Sequence, residues 1–321
     1  MPGRDLRVAV VGAAGYVGGE TLRLLHQHPR VATIAAVSRS QPGKRLAEVH
    51  PALAHVPEGV FVERVDAADV VFFALGHGES TKEVPELLAG SDPVVVDLAQ
   101  DFRLDPAWVY ALCDPPGLAL PGARRIAAPG CFATATQLAV YPLVGNLAEI
   151  PACYAITGSS GSGASPRRTT HHPVRAHNLF AYGLEGHRHE AEIAAQMSRW
   201  AGRPSSCVLL PHSGPFVRGI HATVRARVAE PLADPLARYR EAYAGRPFVR
   251  VTDAPPELSA VVGTNFAHVH AVARDGGREV IVTCVIDNLV KGAAGQAIQA
   301  MNLALGFPET EGLGFPGTYP C

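Results

Sequence analysis

The chain carries no excess of charge of either sign: 28 Lys and Arg stand against 29 Asp and Glu in 321 residues. A nucleic-acid footprint needs basic residues in strong excess on one face, so that class of partner is not expected. The sequence also lacks the run of roughly 18 consecutive apolar residues that a membrane helix requires. Met1 to Arg7 leads straight into an apolar run of strand length, without the apolar stretch and small-residue cleavage site of an export signal. A cytoplasmic location is therefore expected. The six cysteines (Cys113, Cys131, Cys153, Cys207, Cys284, Cys321) include no C-x-x-C pair, so neither a zinc site nor a thioredoxin-type motif is suggested. No metal site is expected, and in a reducing compartment these residues stay free thiols. Internal repeats and low-complexity segments are absent as well.

What is present is the composition of an ordinary globular protein, 47% hydrophobic and 18% charged. Its length exceeds what one small core organises, which predicts two domains of about 150 residues each. Leu6 to Val11, a glycine-rich turn, and a helical pattern through Tyr16, Leu22, Leu24 and Leu25 to His28 read as strand, turn, helix. Further apolar runs at Ile34–Val37, Val70–Leu75 and Val94–Leu98 alternate with helical stretches, which predicts right-handed crossovers and a doubly wound parallel sheet. Beyond about residue 130 the rhythm changes. Ile220, Ala222, Val224, Ala226 and Val228 alternate with polar positions, and Phe266–Ala273 and Glu279–Ile286 repeat that character around a turn at Arg274–Gly277. The expected fold class is α/β, with a Rossmann-type sheet in residues 1–130 and 288–321. Residues 131–287 are expected to form a second, α+β domain with a largely antiparallel mixed sheet. The last helix is expected over Asn288–Leu305, stopped by Gly306 and Pro308.

Gly12-Ala13-Ala14-Gly15-Tyr16-Val17-Gly18 lies between the first strand and the first helix, where a dinucleotide fingerprint must sit. Glycines there permit the tight turn and let a pyrophosphate approach the helix amino terminus, although the spacing is G-x-x-G-x-x-G. A plain tight turn is the alternative. The second strand ends in Ser38-Arg39-Ser40, with Lys44 close behind, where an NAD site would carry an acidic residue. An Arg flanked by hydroxyls suits a 2'-phosphate, so NADP(H) is preferred, with a solvated loop as the competing interpretation.

Pro129-Gly130-Cys131 opens the apolar run Ala135–Leu147, which reads as a helix with Cys131 in its first turn. The positive end of the helix dipole favours a thiolate there. Cys153, Cys207 and Cys284 fall in apolar strand runs and read as core residues. Gly186-His187-Arg188-His189 precedes a helical stretch in which Glu192, three residues beyond His189, shares its face. A Cys and His pair is the arrangement expected for thiolate chemistry. Between these segments Gly158-Ser159-Ser160-Gly161-Ser162-Gly163 is dense in donors that could cradle a phosphate, followed by Arg167, Arg168, His171, His172, Arg175 and His177. An anion-binding loop and a solvated linker are both consistent with that stretch.

Together, the glycine turn, Asp97-Leu98-Ala99-Gln100-Asp101-Phe102-Arg103, Pro129-Gly130-Cys131, Gly186-His187-Arg188-His189 and Asp287-Asn288-Leu289-Val290-Lys291-Gly292 resemble the N-acetyl-gamma-glutamyl-phosphate reductase family over nearly the whole chain. The resemblance implies a two-domain fold related to aspartate-semialdehyde dehydrogenase, and NADPH-dependent reduction of an acyl phosphate to a semialdehyde. It implies Cys131 as nucleophile, His189 as general acid/base and Glu192 orienting nearby. It further implies Gly12, Ala14, Gly15, Tyr16, Val17, Gly18, Ser38, Arg39, Ser40, Asn288 and Gly292 toward the cofactor, and Ser160, Gly161, His187 and Arg188 toward the substrate. A homodimer or tetramer is implied too.

Two departures stand out. The family's Tyr-Gly-Leu-Pro-Glu segment is replaced by Tyr110-Ala111-Leu112-Cys113-Asp114 and Leu118-Ala119-Leu120-Pro121-Gly122 in a shortened stretch. Ser165 to Arg175 looks more like the branch that reduces alpha-aminoadipyl phosphate on an acidic amino-group carrier protein, so free and carrier-bound substrates are both open. Aspartate-semialdehyde dehydrogenase, and a redox-sensing NADP-binding regulator without turnover, are the other readings.

Overall fold

The computed structural model describes residues 6–320, and the chain divides into two compact units. The first is built from the chain up to Leu112, Leu118–Pro129 and Ala293–Phe315; the second from Cys113–Gly117, Gly130–Gly292 and the residues from Pro316. This division differs from the expected boundaries in three places. The short segment Cys113–Gly117 and the final residues go with the second unit, and the chain returns to the first at Ala293 rather than at residue 288.

The first unit contains β1 (Leu6–Val11), α1 (Tyr16–Leu25), β2 (Val31–Val37), α2 (Leu46–Val49), β3 (Phe61–Val62), β4 (Val70–Phe73), α3 (Ser80–Gly90), β5 (Val94–Asp97), β6 (Val109–Tyr110) and β7 (Arg125–Ala127). Its seven strands run in the order β3-β2-β1-β4-β5-β7-β6, and every pairing is parallel. The order reverses between β1 and β4, and ligands of open α/β sheets bind beyond the strand ends at such a switch. The central strands are apolar on both faces because helices cover both. On one face Ala9, Val11, Val37, Val71, Phe73 and Val95 pack with Val84 of α3.

The second unit begins with α4 (Cys131–Val140), β8 (Ala152–Thr157), α5 (His172–Arg175), β9 (Phe180–Ala181), α6 (Glu190–Ala201), β10 (Val208–Ser213) and β11 (Ile220–Arg227). It continues with α7 (Pro235–Ala242), β12 (Val249–Val251), β13 (Ala267–Arg274) and β14 (Glu279–Ile286). The strand order is β12-β13-β14-β11-β8-β10-β9, with antiparallel pairing from β13 through β8 and parallel pairs at β12/β13 and β8/β10. Helix α4 lies on this sheet with every residue buried except Cys131. Apolar on all sides, it forms as a core helix rather than an amphipathic one.

Two helices differ from expectation. The run Ala135–Leu147 does not continue as one α-helix: α4 stops at Val140 and tightens into a 3-10 turn over Tyr141–Asn146, because Pro142 cannot donate the next backbone bond. The last helix starts later than Asn288. The Asp287 carboxylate accepts from the N–H groups of Leu289 and Val290, a π turn spans Val290–Ala294, and α8 follows over Gly295–Ala304 in the first unit. Gly306 at φ +75° then ends the chain's last helix as the sequence indicates. No helix among the described residues is long and apolar enough to cross a membrane.

Candidate active site

In the first unit the glycine turn opens on a cavity of about 930 Å³. Gly12, Ala14 and Gly15 line one part of it, and Ser38, Arg39 and Ser40 another. Tyr16, Val17 and Gly18 form the first turn of α1 and lie outside the lining, as does Lys44. Their N–H groups are the ones a helix start leaves without intrahelical partners. Two of the three glycines are demanded by geometry. At Gly12, with φ +81°, a Cβ would press into the Ala74 carbonyl group; at Gly18 it would stand 2.7 Å from Ala13 Cα. Gly15 lines the cavity, and a Cβ there would meet only the Gly12 carbonyl oxygen at 3.5 Å. These features fit a dinucleotide. The sequence reading missed His50, whose Nε2 bonds the Ala13 carbonyl at 2.8 Å and holds the turn.

Arg39 is 72% exposed and pairs with Glu83 of α3, a residue the sequence reading did not single out. Glu79 and Glu86 of the same helix also line the cavity. The Asp97–Arg103 segment braces this unit through hydrogen bonds. Asp101 accepts from the N–H groups of Gly78 and Thr81, capping the start of α3, and Arg103 donates to the carbonyls of Leu98 and Ala128. Asp97 is fully buried with one oxygen on Ser80 Oγ at 2.7 Å, and burial pushes its carboxyl up to about 6.

In the second unit Cys131 is the first residue of α4 and the one described cysteine that is not buried. Cys113, Cys153, Cys207 and Cys284 are buried, and none of the five is in a disulfide. Burial pushes the Cys153 thiol up to about 12 and the Cys207 and Cys284 thiols in the same direction, so they are inert. Beside Cys131, a Cβ at Gly292 would stand 2.7 Å from the Cys131 Cβ, so only glycine fits against this cysteine.

Glu192 ties the acid/base candidate to that helix start. Its side chain is 2% exposed, with Oε2 accepting from Gly130 N–H at 3.0 Å and Oε1 lying 4.0 Å from His189 Nε2. Gln137 of α4 donates to the Glu192 carbonyl at 3.2 Å, locking α4 and α6 together. The neighbouring His187 is a different kind of residue. Its Nδ1 accepts from the His189 N–H at 3.2 Å, it stacks edge-on against Phe132 and His189, and burial, followed by the Arg188 charge, lowers it to about 4. It is therefore neutral near pH 7. Arg188 is exposed. Glu190 pins the segment by accepting from His187 N–H and Leu209 N–H. Tyr182, also missed in the sequence, stands beside this group: burial raises its hydroxyl and the Cys131 charge raises it further.

The serine-glycine stretch is not an open cradle. Gly158, Ser159 and Ser160 donate their N–H groups to Gly219, Phe216 and Val217, Gly161 bonds Gly158, and Gly163 bonds Ser160. The Ser160 hydroxyl is taken by the Val217 carbonyl and by Asn288. Asn288 is buried and also accepts from Gly219 N–H at 2.6 Å, so it braces the Ser160 loop, and neither Asn288 nor Gly292 lines the cavity of the first unit. The backbone donors that make this stretch look like a phosphate site are thus consumed by the fold. Of the basic loop, Arg167, Arg168, His171, His172 and His177 are exposed, whereas Arg175 is buried and donates to Ser213 Oγ at 2.5 Å and to the Gly214 carbonyl.

The departure at Tyr110–Asp114 also has an account. Asp114 lies at the end of that segment and pairs with Lys291 Nζ at 2.7 Å, both side chains fully buried. Removing either partner would leave a buried charge uncompensated, a loss of about 3–5 kcal/mol.

Comparison with known proteins agrees with this architecture. Residues 7–115 match the family model described as semialdehyde dehydrogenase, NAD binding domain, and residues 131–288 match semialdehyde dehydrogenase, dimerisation domain. An N-acetyl-gamma-glutamyl-phosphate reductase of Methanosarcina acetivorans is 42% identical over 98% of this chain and 100% of its own length. One from Mycobacterium avium is 40% identical over 98% and 99%. Among solved structures, aspartate semialdehyde dehydrogenase II of Vibrio cholerae, complexed with ASA, superposes with a TM-score of 0.74 at 18% identity, over 94% of this chain and 98% of that one. Aspartate semialdehyde dehydrogenase with NADP from Candida albicans gives 0.69 at 16% identity, over 93% and 98%. These solved structures share the fold, and the nearly full-length sequence identity carries the finer assignment: the chain belongs to the N-acetyl-gamma-glutamyl-phosphate reductase family.

Proposed function

We propose that this protein reduces N-acetyl-gamma-glutamyl phosphate to the semialdehyde, a step of arginine biosynthesis, with Cys131 as nucleophile and NADPH as reductant. The observation that carries the reading is the seat of Cys131, at the start of a helix whose preceding N–H is held by the same carboxylate that lies against His189. NADPH, held at Gly12, Ala14 and Gly15 and at Ser38, Arg39 and Ser40, supplies the hydride when bound.

Cys131 acts as a thiolate, favoured by the helix start. His189 accepts the thiol proton, and Glu192 at 4.0 Å stabilises the imidazolium. The sulfur adds to the acyl carbonyl, the bond to phosphate breaks, and inorganic phosphate leaves with the proton that His189 held, so that a thioester remains on Sγ. Reduction of that thioester leaves a tetrahedral oxyanion; it collapses to the aldehyde as the carbon–sulfur bond breaks, Sγ departs as the thiolate, and His189 regains a proton from solvent. His187, neutral and packed on Phe132, shapes the pocket rather than moving protons, and Arg188 is the exposed cation proposed for the phosphorylated end of the substrate. Ser160 and Gly161 act by holding the loop in place. We further propose a cytoplasmic homodimer or tetramer, with the described thiols in reduced form.

The exposed Arg167, Arg168, His171, His172 and His177 favour a second reading, in which the acyl phosphate arrives on an acidic carrier protein. Assaying free N-acetylglutamate semialdehyde beside carrier-attached aminoadipate semialdehyde, in the phosphate-dependent direction, separates the two. Cys131→Ser is expected to lower phosphate-dependent NADP reduction at least ~1,000-fold while dinucleotide binding, read by fluorescence, persists. Retained turnover in that variant would overturn the covalent mechanism.

A further inference from the structure

The cavity of the first unit contains a charge arrangement that the dinucleotide reading leaves unexplained. Arg39 leaves the end of β2 at a position suited to a 2'-phosphate, flanked by Ser38 and Ser40, whose hydroxyls lie 3.3 Å apart. Its guanidinium is already engaged by a carboxylate. Glu83 projects from α3 onto Arg39, and Glu79 and Glu86, four residues before and three after it, line the same cavity. The three acids share one face of the helix by simple periodicity. Glu79 is partly committed elsewhere, since it accepts from Gly76 N–H at 3.0 Å. Glu83 is the member of the row that holds the arginine.

We propose that Glu83 is the residue that sets dinucleotide preference in this chain, by competing with the 2'-phosphate for Arg39. The proposal rests on the reading of this cavity as the NADPH site. A phosphate monoester carries close to two negative charges at neutral pH and accepts a bidentate pair from arginine, so it can displace a single carboxylate from an exposed guanidinium. The displaced Glu83 stays nearby on a rigid helix and repels the phosphate that replaced it. A nucleotide with a free 2'-hydroxyl meets the opposite situation: Arg39 stays paired, and the hydroxyl can donate to the Glu83 carboxylate as it does to acidic residues in NAD sites. Glu83 therefore weakens NADPH and supports NADH, and the discrimination between them is narrower than Ser38, Arg39 and Ser40 alone would produce.

The test is a fluorescence titration of the full-length protein with NADPH and with NADH, without substrate, for wild type, Glu83→Gln, Arg39→Ala and the double variant. Glu83→Gln is expected to tighten NADPH about 5- to 10-fold and to leave NADH unchanged or weaker. Arg39→Ala weakens NADPH selectively, and adding Glu83→Gln to it restores less than half of the single-variant gain, because the competitor has lost its object. Glu83 lies on a helix surface, and thermal melts of each variant check that the fold is intact. If Glu83→Gln leaves the NADPH to NADH ratio unchanged, or tightens both alike, the proposal is overturned while the NADPH reading stands. If wild type binds neither dinucleotide, the reading of the cavity falls and the proposal falls with it.

Discussion

Two stretches of this chain look alike on paper and behave as opposites in space. Gly12–Gly18 and Gly158–Gly163 are both rich in glycine and both follow a strand. In the first, the glycines clear a path: Gly12 and Gly18 leave no room for a side chain, Gly15 lines a cavity, and the start of α1 adjoins it. In the second, the same residue type lets the chain pack tightly. A Cβ at Gly158 would lie 2.8 Å from Arg218 N, and the N–H groups around it are bonded to the Phe216–Gly219 strand entry. Composition measures how many donors a loop has; only pairing decides how many remain for a ligand.

The strongest way to break this contrast is at Gly18. Gly18→Val is expected to abolish NADPH binding by titration, weakening it at least ~100-fold, and to lower stability by about 3 kcal/mol or more, because the side chain meets Ala13 backbone. Wild-type affinity in that variant would mean that the turn does not carry the nucleotide.

A second test uses pH, since the first unit holds a buried group and the second a half-buried one that titrate in the acid range with opposite sign. Asp97 in the first unit is raised to about 6, so the folded state binds a proton more tightly than the unfolded chain and stability falls as pH rises from about 4 to 6. His187 in the second is lowered to about 4, so stability falls instead as pH drops from its ordinary 6.5 toward 4. Asp97→Asn removes the first effect. It is expected to be more stable than wild type by up to about 3 kcal/mol at pH 7, with the gap closing toward pH 4, in urea melts across that range. A gap that does not change with pH would show that Asp97 is not held as described.

The smallest effect is expected in the second stretch itself. A Cβ at Gly161 would meet only Thr157 Oγ1 at 3.4 Å and more distant atoms. Gly161→Ala should therefore change stability by less than about 0.5 kcal/mol and kcat/KM by less than about threefold. A large loss of activity there would restore the stretch as a phosphate cradle.

How far the sequence could be read follows from the range of the forces involved. Strand runs such as Glu279–Ile286, the glycine turn, and Cys131 at a helix start are local patterns, and periodicity or capping geometry reveals them. The end of α4 near Pro142 and the late start of α8 were misjudged because a proline and the Asp287 carboxylate override an apolar run over a single turn. Glu83, Gln137, Glu190 and Tyr182 carried no signal of their own. Each matters through a partner 19 to 55 residues away, such as Leu209 for Glu190 and Glu192 for Gln137. Asp114 was hidden by a shortened segment, and its meaning came only with Lys291, 177 residues later.

The sequence alone determined the alternation of strands and helices, the place of the dinucleotide turn, and which of six thiols begins a helix, because each depends on neighbours within a few residues. The tertiary structure alone decided which thiols are buried, which loop donors are already bonded, and that Arg39 meets Glu83. Burial and pairing are made between segments distant in the chain, and no local pattern encodes what will stand opposite a side chain once the backbone has closed around it.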